Sequence, residues 1–243
     1  MTETALNKQL RVLNQEIVAC ERCPRLRDYG RRIAEEKRRA YRDWTYWGKP
    51  VPPFGDPDAR LLVIGLAPAA HGANRTGRVF TGDRSGDFLY RALHETGFAS
   101  QPESRSREDG LTLTGAYITA AVRCAPPDNK PRPDEFRNCR PYLERELDLL
   151  QDLRVVVALG RIAFDTYLAI LRDRGVIRSR SPYAFGHNVE YRIADALPVL
   201  IGSYHPSQQN TSTGKLTAPM LREVFERARA ILSAESGGSH LLP

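Results

Sequence analysis

Residues 60–88, RLLVIGLAPAAHGANRTGRVFTGDRSGDF, are the stretch most suited to chemistry. They open on a short apolar run, Leu61 to Leu66, which predicts a buried strand that ends at Ala67-Pro68. A polar segment rich in Gly, Thr, Asn and Arg follows, and helical spacing begins near Asp87. An open α/β sheet places its ligand site in such loops, at the carboxyl ends of its strands. The sequence therefore predicts a functional loop, with a plain surface loop as the alternative.

Four cysteines form a second group of reactive side chains. Cys20 and Cys23 make a CxxC pair, and Cys124 and Cys139 follow much later in the chain. Nothing marks the chain as secreted, so we do not expect a disulfide framework. Four thiolates suit either a zinc ion or an iron–sulfur cluster, and their spacing does not separate the two. The alternative is a set of buried free thiols that includes a CxxC by chance.

Apolar runs alternate with helical patterns along most of the chain, and these elements must position the reactive residues. Strands are predicted over 61–66, 117–122, 155–159 and 198–203, and helices over 4–18, 134–150, 161–173 and 217–232. This alternation predicts an α/β protein, a three-layer α/β/α sandwich with a central, mostly parallel four-stranded sheet. Polar loops follow three of the strands and should meet at one edge of the sheet; they span 67–86, 123–133 and 204–214.

The remaining segments complete the predicted organisation. We expect a single domain over 1–235, which includes the N-terminal metal-binding segment, and a disordered tail over 236–243. Residues 44–55 are aromatic and proline-rich and predict an irregular connector into the first strand. Residues 175–196 show no pattern that assigns them to a helix or a strand.

The charge balance indicates what kind of partner the chain could bind. The chain carries 36 Lys and Arg residues against 29 Asp and Glu residues, a net charge of +7. A basic protein suits a polyanionic partner such as nucleic acid. No apolar run is long enough to cross a bilayer, and the N-terminus lacks the apolar core of a signal peptide. We therefore expect a soluble, cytoplasmic monomer.

Three motifs, together with the four cysteines, resemble the uracil-DNA glycosylase superfamily, specifically its family 5 (type B) enzymes. The motifs are GLAPAAHGANRTGRVFTGD (65–83), AAVRCAPPDNKPRP (120–133) and HPSQQNTSTG (205–214). The resemblance covers most of the chain, from about Cys20 to Leu232. It implies an enzyme that flips uracil and other deaminated bases out of DNA and hydrolyses the N-glycosidic bond, initiating base excision repair. It also implies a structural [4Fe–4S] cluster on the four cysteines, which decides between iron and zinc.

The resemblance assigns catalytic roles to Asp83, His205 and Asn129. Cleavage of the C–N bond makes the sugar cationic and the base anionic, so a carboxylate near the sugar can stabilise the cation and orient water. Residues 65–72 carry no carboxylate, which leaves Asp83 for this task, with helix N-capping as its alternative role. His205 would donate a hydrogen bond to the departing base oxygen, or else be a histidine of a capped loop. Asn129 matches a further family position near the active site.

The residues expected to contact the base are Gly65, Ala67, Phe80 and Ala120. Phe80 would stack on the base, with packing in the core as the alternative. Related family 4 enzymes carry an asparagine at the end of the second strand, where this chain has Ala120. A site without that amide rejects other bases less strongly. We therefore predict release of uracil, hydroxymethyluracil, hypoxanthine and xanthine.

Other polar residues are expected to contact the DNA outside the base pocket. Basic residues predicted to contact phosphates, with solvated surface positions as the alternative, are Arg75, Arg78, Lys130, Arg132 and Lys215. Ser207, Gln208 and Asn210 belong to a segment that resembles the loop pressed into the minor groove beside the flipped nucleotide. The competing interpretation is a non-catalytic DNA-binding protein with an iron–sulfur or zinc site. An unrelated α/β hydrolase is disfavoured because no GxSxG motif is present.

Overall fold

A six-stranded sheet forms the centre of the computed structural model, which describes residues 4–237. Its strands are β1 Phe54–Gly55, β2 Leu61–Gly65, β3 Ala116–Ala120, β4 Val155–Leu159, β5 Val189–Tyr191 and β6 Val199–Ser203. They lie in the order β1-β3-β2-β4-β6-β5. The four central strands run parallel, and the short β1 and β5 pair antiparallel at the two edges.

Helices cover both faces of this sheet. In the described part of the chain they are α1 Ala5–Val18, α2 Pro24–Glu36, α3 Ala73–Thr76, α4 Arg84–Glu95, α5 Pro133–Leu149, α6 Arg161–Asp173, α7 Gln208–Ser212 and α8 Ala218–Gly237. One face packs against α4 and α8, and the other packs against α1, α5 and α6. The predicted three-layer α/β/α class is therefore confirmed. None of the described helices is long and apolar enough to cross a membrane.

The sheet has two more strands than the sequence predicted. β1 contributes two half-buried residues from the aromatic connector, and β5 contributes three half-buried residues from within 175–196. The four parallel strands, by contrast, are buried along their whole length. Strands covered on both faces read as apolar runs, whereas short edge strands do not. The prediction of four strands is corrected to six for this reason.

Two helices begin elsewhere than predicted. α4 begins at Arg84, immediately after Asp83, three residues before the helical spacing becomes visible in the sequence. α5 begins at Pro133, with Arg132 at the N-cap, just before the predicted start at residue 134. Proline suits the first helical position because its missing N–H is not needed there.

The ends of the predicted loops and tail also differ. α8 continues to Gly237, past the predicted end at Leu232 and into the predicted tail. The rest of that tail, 238–243, lies outside the described residues. All three predicted loops contain short helical segments: α3 after β2, α7 after β6, and a 3-10 turn over Pro127–Asn129 in the loop after β3.

A buried ion pair joins the end of β3 to α5. Arg123 and Glu146 are 1% and 0% exposed, and Arg123 Nη2 lies 2.7 Å from Glu146 Oε1. Thr119 Oγ1 donates to Glu146 Oε2 at 2.7 Å and accepts from Arg123 Nη1. Because Cys124 directly follows Arg123, this network also fixes the chain where it enters the second polar loop.

Candidate active site

The candidate site lies at the carboxyl ends of β2, β4 and β6. From β2 the chain continues to β3 on one side of the sheet, and only later to β4 on the other side. A reversal of this kind leaves a crevice in which α/β proteins bind ligands. Gly160, directly after β4, donates its backbone N–H to the Ser203 carbonyl at 2.7 Å and so fixes the end of β6. This hydrogen bond joins the ends of β4 and β6, and Phe80 and His205 bring the loops after β2 and β6 together over the crevice.

Phe80 forms a flat surface over the end of β2. A Cβ atom on Gly65 would lie 2.7 Å from the Phe80 ring, so glycine is required for this close approach. The Phe80 and His205 ring centroids are 5.8 Å apart, with an angle of 33° between the ring planes. The half-buried Phe80 ring also packs on the core beneath it, which was its alternative role. The structure thus brings together three predicted site residues.

The backbone of Phe80 is strained. Its φ of 50° lies in the left-handed region, which is rare and costly for an aromatic residue. Tyr90 of α4 holds the preceding residue, since its hydroxyl donates to the Val79 carbonyl at 3.0 Å. A Cβ atom on Gly86 would collide with the Phe80 carbonyl, so the start of α4 fits closely beneath it. Strain maintained by its surroundings is typical of functional sites.

Asp83 is the N-cap of α4. Its carboxylate accepts the backbone N–H of Gly86 at 3.0 Å, which confirms the capping role named as the alternative. The carboxylate also lies against Gly72, where a Cβ atom would collide with it. Burial raises the pKa of Asp83, although the hydrogen bonds from the helix amides oppose this. The result is a rigidly held carboxylate of increased basicity, which can accept a hydrogen bond from water.

His205 follows β6 and faces Phe80. Burial lowers the pKa of His205 to about 4, so the ring is neutral near pH 7. Its backbone carbonyl accepts the side-chain amide of Asn210 at 2.9 Å, which holds the loop close to its start. A neutral imidazole N–H can stabilise an oxygen that gains negative charge without bringing a full positive charge into the site.

Arg75 is buried, which corrects the expectation that it contacts phosphate. Only 3% of the residue is exposed, and its guanidinium lies between the rings of Tyr41 and Trp44, 3.9 and 4.1 Å from their centroids. Its Nε donates to the His71 carbonyl at 2.8 Å and its Nη2 to the Gly82 carbonyl at 2.7 Å. Arg75 therefore holds the chain immediately before Asp83.

Arg78 is likewise buried, and the expectation of a phosphate contact is wrong for it too. Its guanidinium makes a bidentate ion pair with Asp109, at 2.9 and 2.6 Å, and donates to Thr81 and Ser104. Although burial alone would raise it, the pKa of Asp109 is lowered to about 2 by Arg78 and by backbone amides. No local sequence pattern pairs two residues that lie 31 positions apart.

The loop after β3 contributes to the site at its beginning. Ala120 is buried and pairs in register with Gly65, which places it beside the Phe80 surface. Asn129 is exposed with a φ of 56°, and within the described residues no hydrogen bond or ring contact joins it to Phe80, Asp83 or His205. Lys130 and Arg132 are exposed in the same loop.

The segment after His205 is organised by α7. Ser207 caps this short helix, with its hydroxyl 3.3 Å from the Asn210 amide nitrogen, and Gln208 is exposed. Lys215 is exposed as well, and its Nζ lies 5.0 Å from the centre of the Tyr204 ring. The three polar residues and Lys215 are thus presented next to the crevice, and their DNA contacts stay a prediction.

The cysteines converge beside this crevice. Cys23, Cys124 and Cys139 lie in one buried cluster, against which Ala67 packs, so Ala67 lies between the cysteines and the end of β2. Cys20 is half-buried close by, and no disulfide joins any of the four. Burial raises the pKa of the Cys124 thiol, and so does its electrostatic interaction with the other three thiols.

Two hydrogen bonds to sulfur orient these thiols. The Arg123 amide lies 3.5 Å from Cys139 Sγ, and the Asn138 side-chain amide lies 3.4 Å from Cys23 Sγ. Over residues 4–237, no three His, Cys, Asp or Glu side chains lie close enough together to hold a single metal ion. Four thiols with N–H donors to sulfur are the donor set that a metal–thiolate or cluster site would use.

Comparison with known proteins identifies the family to which the chain belongs. A model of the uracil DNA glycosylase superfamily matches residues 52–229, which is most of the chain. The chain therefore belongs to this superfamily. A type-5 uracil-DNA glycosylase of Thermus thermophilus is 51% identical over 217 residues, covering 89% of this chain and 95% of the relative. One of Mycobacterium leprae is 49% identical over 220 residues, covering 90% and 94%. These relatives place the chain in the type-5 group and confirm the resemblance inferred from the motifs.

Proposed function

We propose that the chain takes a uracil nucleotide out of DNA and hydrolyses its N-glycosidic bond as a monofunctional enzyme. The observation that carries this proposal is the meeting of the Phe80 and His205 rings over the carboxyl ends of β2 and β6, with the Asp83 carboxylate held in the same loop as Phe80. The family supports the same reaction, since the relatives named above are uracil-DNA glycosylases. The product would be an abasic site in an intact strand, formed by a cytoplasmic monomer at the first step of base excision repair.

Each of the three residues has a role that its surroundings favour. Phe80 stacks on the flipped base, and the neutral His205 donates a hydrogen bond to the base oxygen as the base leaves with the bonding electrons. Asp83 stabilises the cationic sugar and accepts a proton from the water that adds to it. Asn129 would join this set from its exposed loop when DNA is bound.

We further propose that the enzyme accepts several deaminated bases. Ala120 ends β3 beside Gly65, where an amide side chain would be able to hydrogen-bond the edge of the base. The Ala120 methyl group needs no hydrogen-bond partner, so binding a base other than uracil leaves no polar side chain at this position unpaired. Gly65 and Ala67, the other residues expected to contact the base, would likewise offer only small groups.

An excision panel tests this specificity. Wild type should release uracil, hydroxymethyluracil, hypoxanthine and xanthine from matched duplexes, measured as alkali-labile abasic sites in strands that stay intact before alkali. Ala120→Asn should keep uracil release and lose most release of the purines. Ala120→Leu, which adds similar bulk without an amide, is the control and should reduce all substrates together. Strict uracil specificity of the wild type would refute the proposal.

We propose, too, that Cys20, Cys23, Cys124 and Cys139 hold a [4Fe–4S] cluster with a structural role. The convergence of the four thiols and the two N–H donors to sulfur support this. When bound, the cluster would tie the N-terminal segment to the loop after β3. Protein purified without oxygen should contain roughly four irons per chain and show the broad visible absorbance of such clusters. Stoichiometric zinc in place of iron would contradict this assignment.

A further inference from the structure

His187 packs against Tyr204, the residue that precedes His205. Its Nδ1 is 3.2 Å from the backbone nitrogen of Tyr204, and its ring stacks on the Tyr204 ring with centroids 5.1 Å apart. A backbone N–H can only donate, so Nδ1 accepts and carries no proton. Burial lowers the pKa of His187, which keeps the ring neutral, and its single N–H is therefore on Nε2.

The edge strand β5 delivers His187 to this position. The backbone N–H of Asn188 donates to the Gly202 carbonyl at 2.7 Å, and Val189 pairs with the same glycine. A Cβ atom on Gly202 would lie 2.7 Å from the Gly186 carbonyl, so the chain before β5 fits closely onto β6. The place of His187 is thus set by backbone pairing at Asn188 and Val189 after it and by close packing of Gly186 before it.

The main chain that leads to His205 is held at three successive points. Gly160 donates to the Ser203 carbonyl at 2.7 Å, and Asn210 donates to the carbonyl of His205 at 2.9 Å. Between them, the amide of the intervening residue has the His187 ring as its acceptor. These three contacts come from different elements, the turn after β4, the segment before β5 and α7. Loss of the middle contact leaves a main-chain donor without a partner.

We propose that His187 is a positioning residue for His205, holding the Tyr204 amide so that the His205 ring stays at its place beside Phe80. This inference rests on the role of His205 under Proposed function. Without the acceptor, the amide turns to find another partner, and His205 moves with it. A group that must meet the leaving base oxygen at hydrogen-bond distance loses most of its effect on such a displacement.

Two substitutions separate the acceptor from the ring. His187→Phe keeps an aromatic ring for stacking on Tyr204 and removes the acceptor. His187→Asn removes the ring and offers Oδ1 near the position of Nδ1. The single-turnover rate of uracil release should fall about tenfold or more in His187→Phe and stay within about threefold of wild type in His187→Asn. The enzyme concentration at half-saturation should change little in both, because His187 acts on the chemical step.

A double-mutant cycle gives the decisive readout. If His187 acts through His205, His187→Phe should cause no further loss of rate in a His205→Ala background. An equal loss in both backgrounds, or a full rate in His187→Phe, overturns the inference. If His205→Ala itself keeps the full rate, the proposed role of His205 fails and the inference falls with it. The two failures are therefore distinguishable.

The wild-type protein offers a test that needs no variant. Nitrogen NMR of protein labelled at histidine should show His187 with an unprotonated Nδ1 and a protonated Nε2 near pH 7. A proton on Nδ1 would exclude the hydrogen bond from Tyr204 and overturn the inference, even if His187→Phe did not fold.

Discussion

Burial acts on the two candidate catalytic side chains, His205 and Asp83, in the same physical way and with opposite results. The charged form of each group is penalised, so the pKa of His205 falls to about 4 while that of Asp83 rises. The loops of the site therefore hold one neutral hydrogen-bond donor and one carboxylate of increased basicity. This pair suits a reaction in which a base leaves as an anion and water is deprotonated.

The shifted pKa of His205 predicts how stability depends on pH. Between about pH 4 and 6.5, the unfolded chain binds a proton on this histidine that the folded chain does not bind. The stability that depends on keeping His205 unprotonated is therefore fully present above pH 6.5, and the free energy of unfolding falls as the pH falls toward 4. His205→Gln removes this dependence, because glutamine stays uncharged. Urea unfolding at pH 7, 6 and 5 should show wild type losing stability relative to the variant; a constant difference would contradict the assigned pKa.

At the scale of elements, the ion pair of Arg123 and Glu146 joins β3 to α5 inside the protein. Glu146→Leu leaves a buried guanidinium without its partner and should lower the free energy of unfolding by about 3–5 kcal/mol. Arg123→Met combined with Glu146→Leu removes both charges and should recover much of that loss. Urea denaturation measures both values. If the double variant is as unstable as the sum of the two single variants, the buried charge is not the cause.

The elements that could be predicted from sequence are those with their own hydrophobic signal. The four buried strands and α1 follow from apolar runs and spacing, whereas β5 has three half-buried residues and no such run. Its position depends on pairing with β6, a contact that local sequence does not encode. Because β5 brings His187 to the site, the residue proposed to position His205 was missed together with the strand.

The candidate site was predictable where a motif names the residue, and not where burial decides its role. Phe80, Asp83 and His205 were found through motifs; the structure places the Phe80 and His205 rings together and puts Asp83 at the N-cap of α4, in the same loop as Phe80. Arg75 and Arg78 were expected to contact phosphate, yet the rings of Tyr41 and Trp44 bury Arg75 and an ion pair with Asp109 buries Arg78. Only the assembled fold shows these partners.

At the scale of the whole molecule, the net charge of +7 predicts that DNA binding weakens steeply with salt. Lys130→Ala and Arg132→Ala should each reduce the slope of log affinity against log salt by about one, if each side chain neutralises a phosphate. Arg172→Ala is the matched control, since this exposed residue lies in the last turn of α6. That helix runs back from the carboxyl end of β4 toward the amino ends of the strands, away from the candidate site. Its slope should equal that of wild type. Equal slopes for all proteins would place the DNA elsewhere.

Single-turnover release of uracil by Asp83→Ser measures what the Asp83 carboxylate contributes beyond capping α4. Serine keeps the N-cap of α4 and removes the carboxylate, whereas Asp83→Ala removes both and should cost about 1 kcal/mol of stability. If Asp83 acts on water at the sugar, Asp83→Ser should have the melting temperature of wild type. Its rate of uracil release should fall by about a hundredfold or more. A wild-type rate in Asp83→Ser would reduce Asp83 to a helix cap. No release by the unsubstituted protein with its cluster intact would contradict the glycosylase assignment and favour a DNA-binding protein without catalysis.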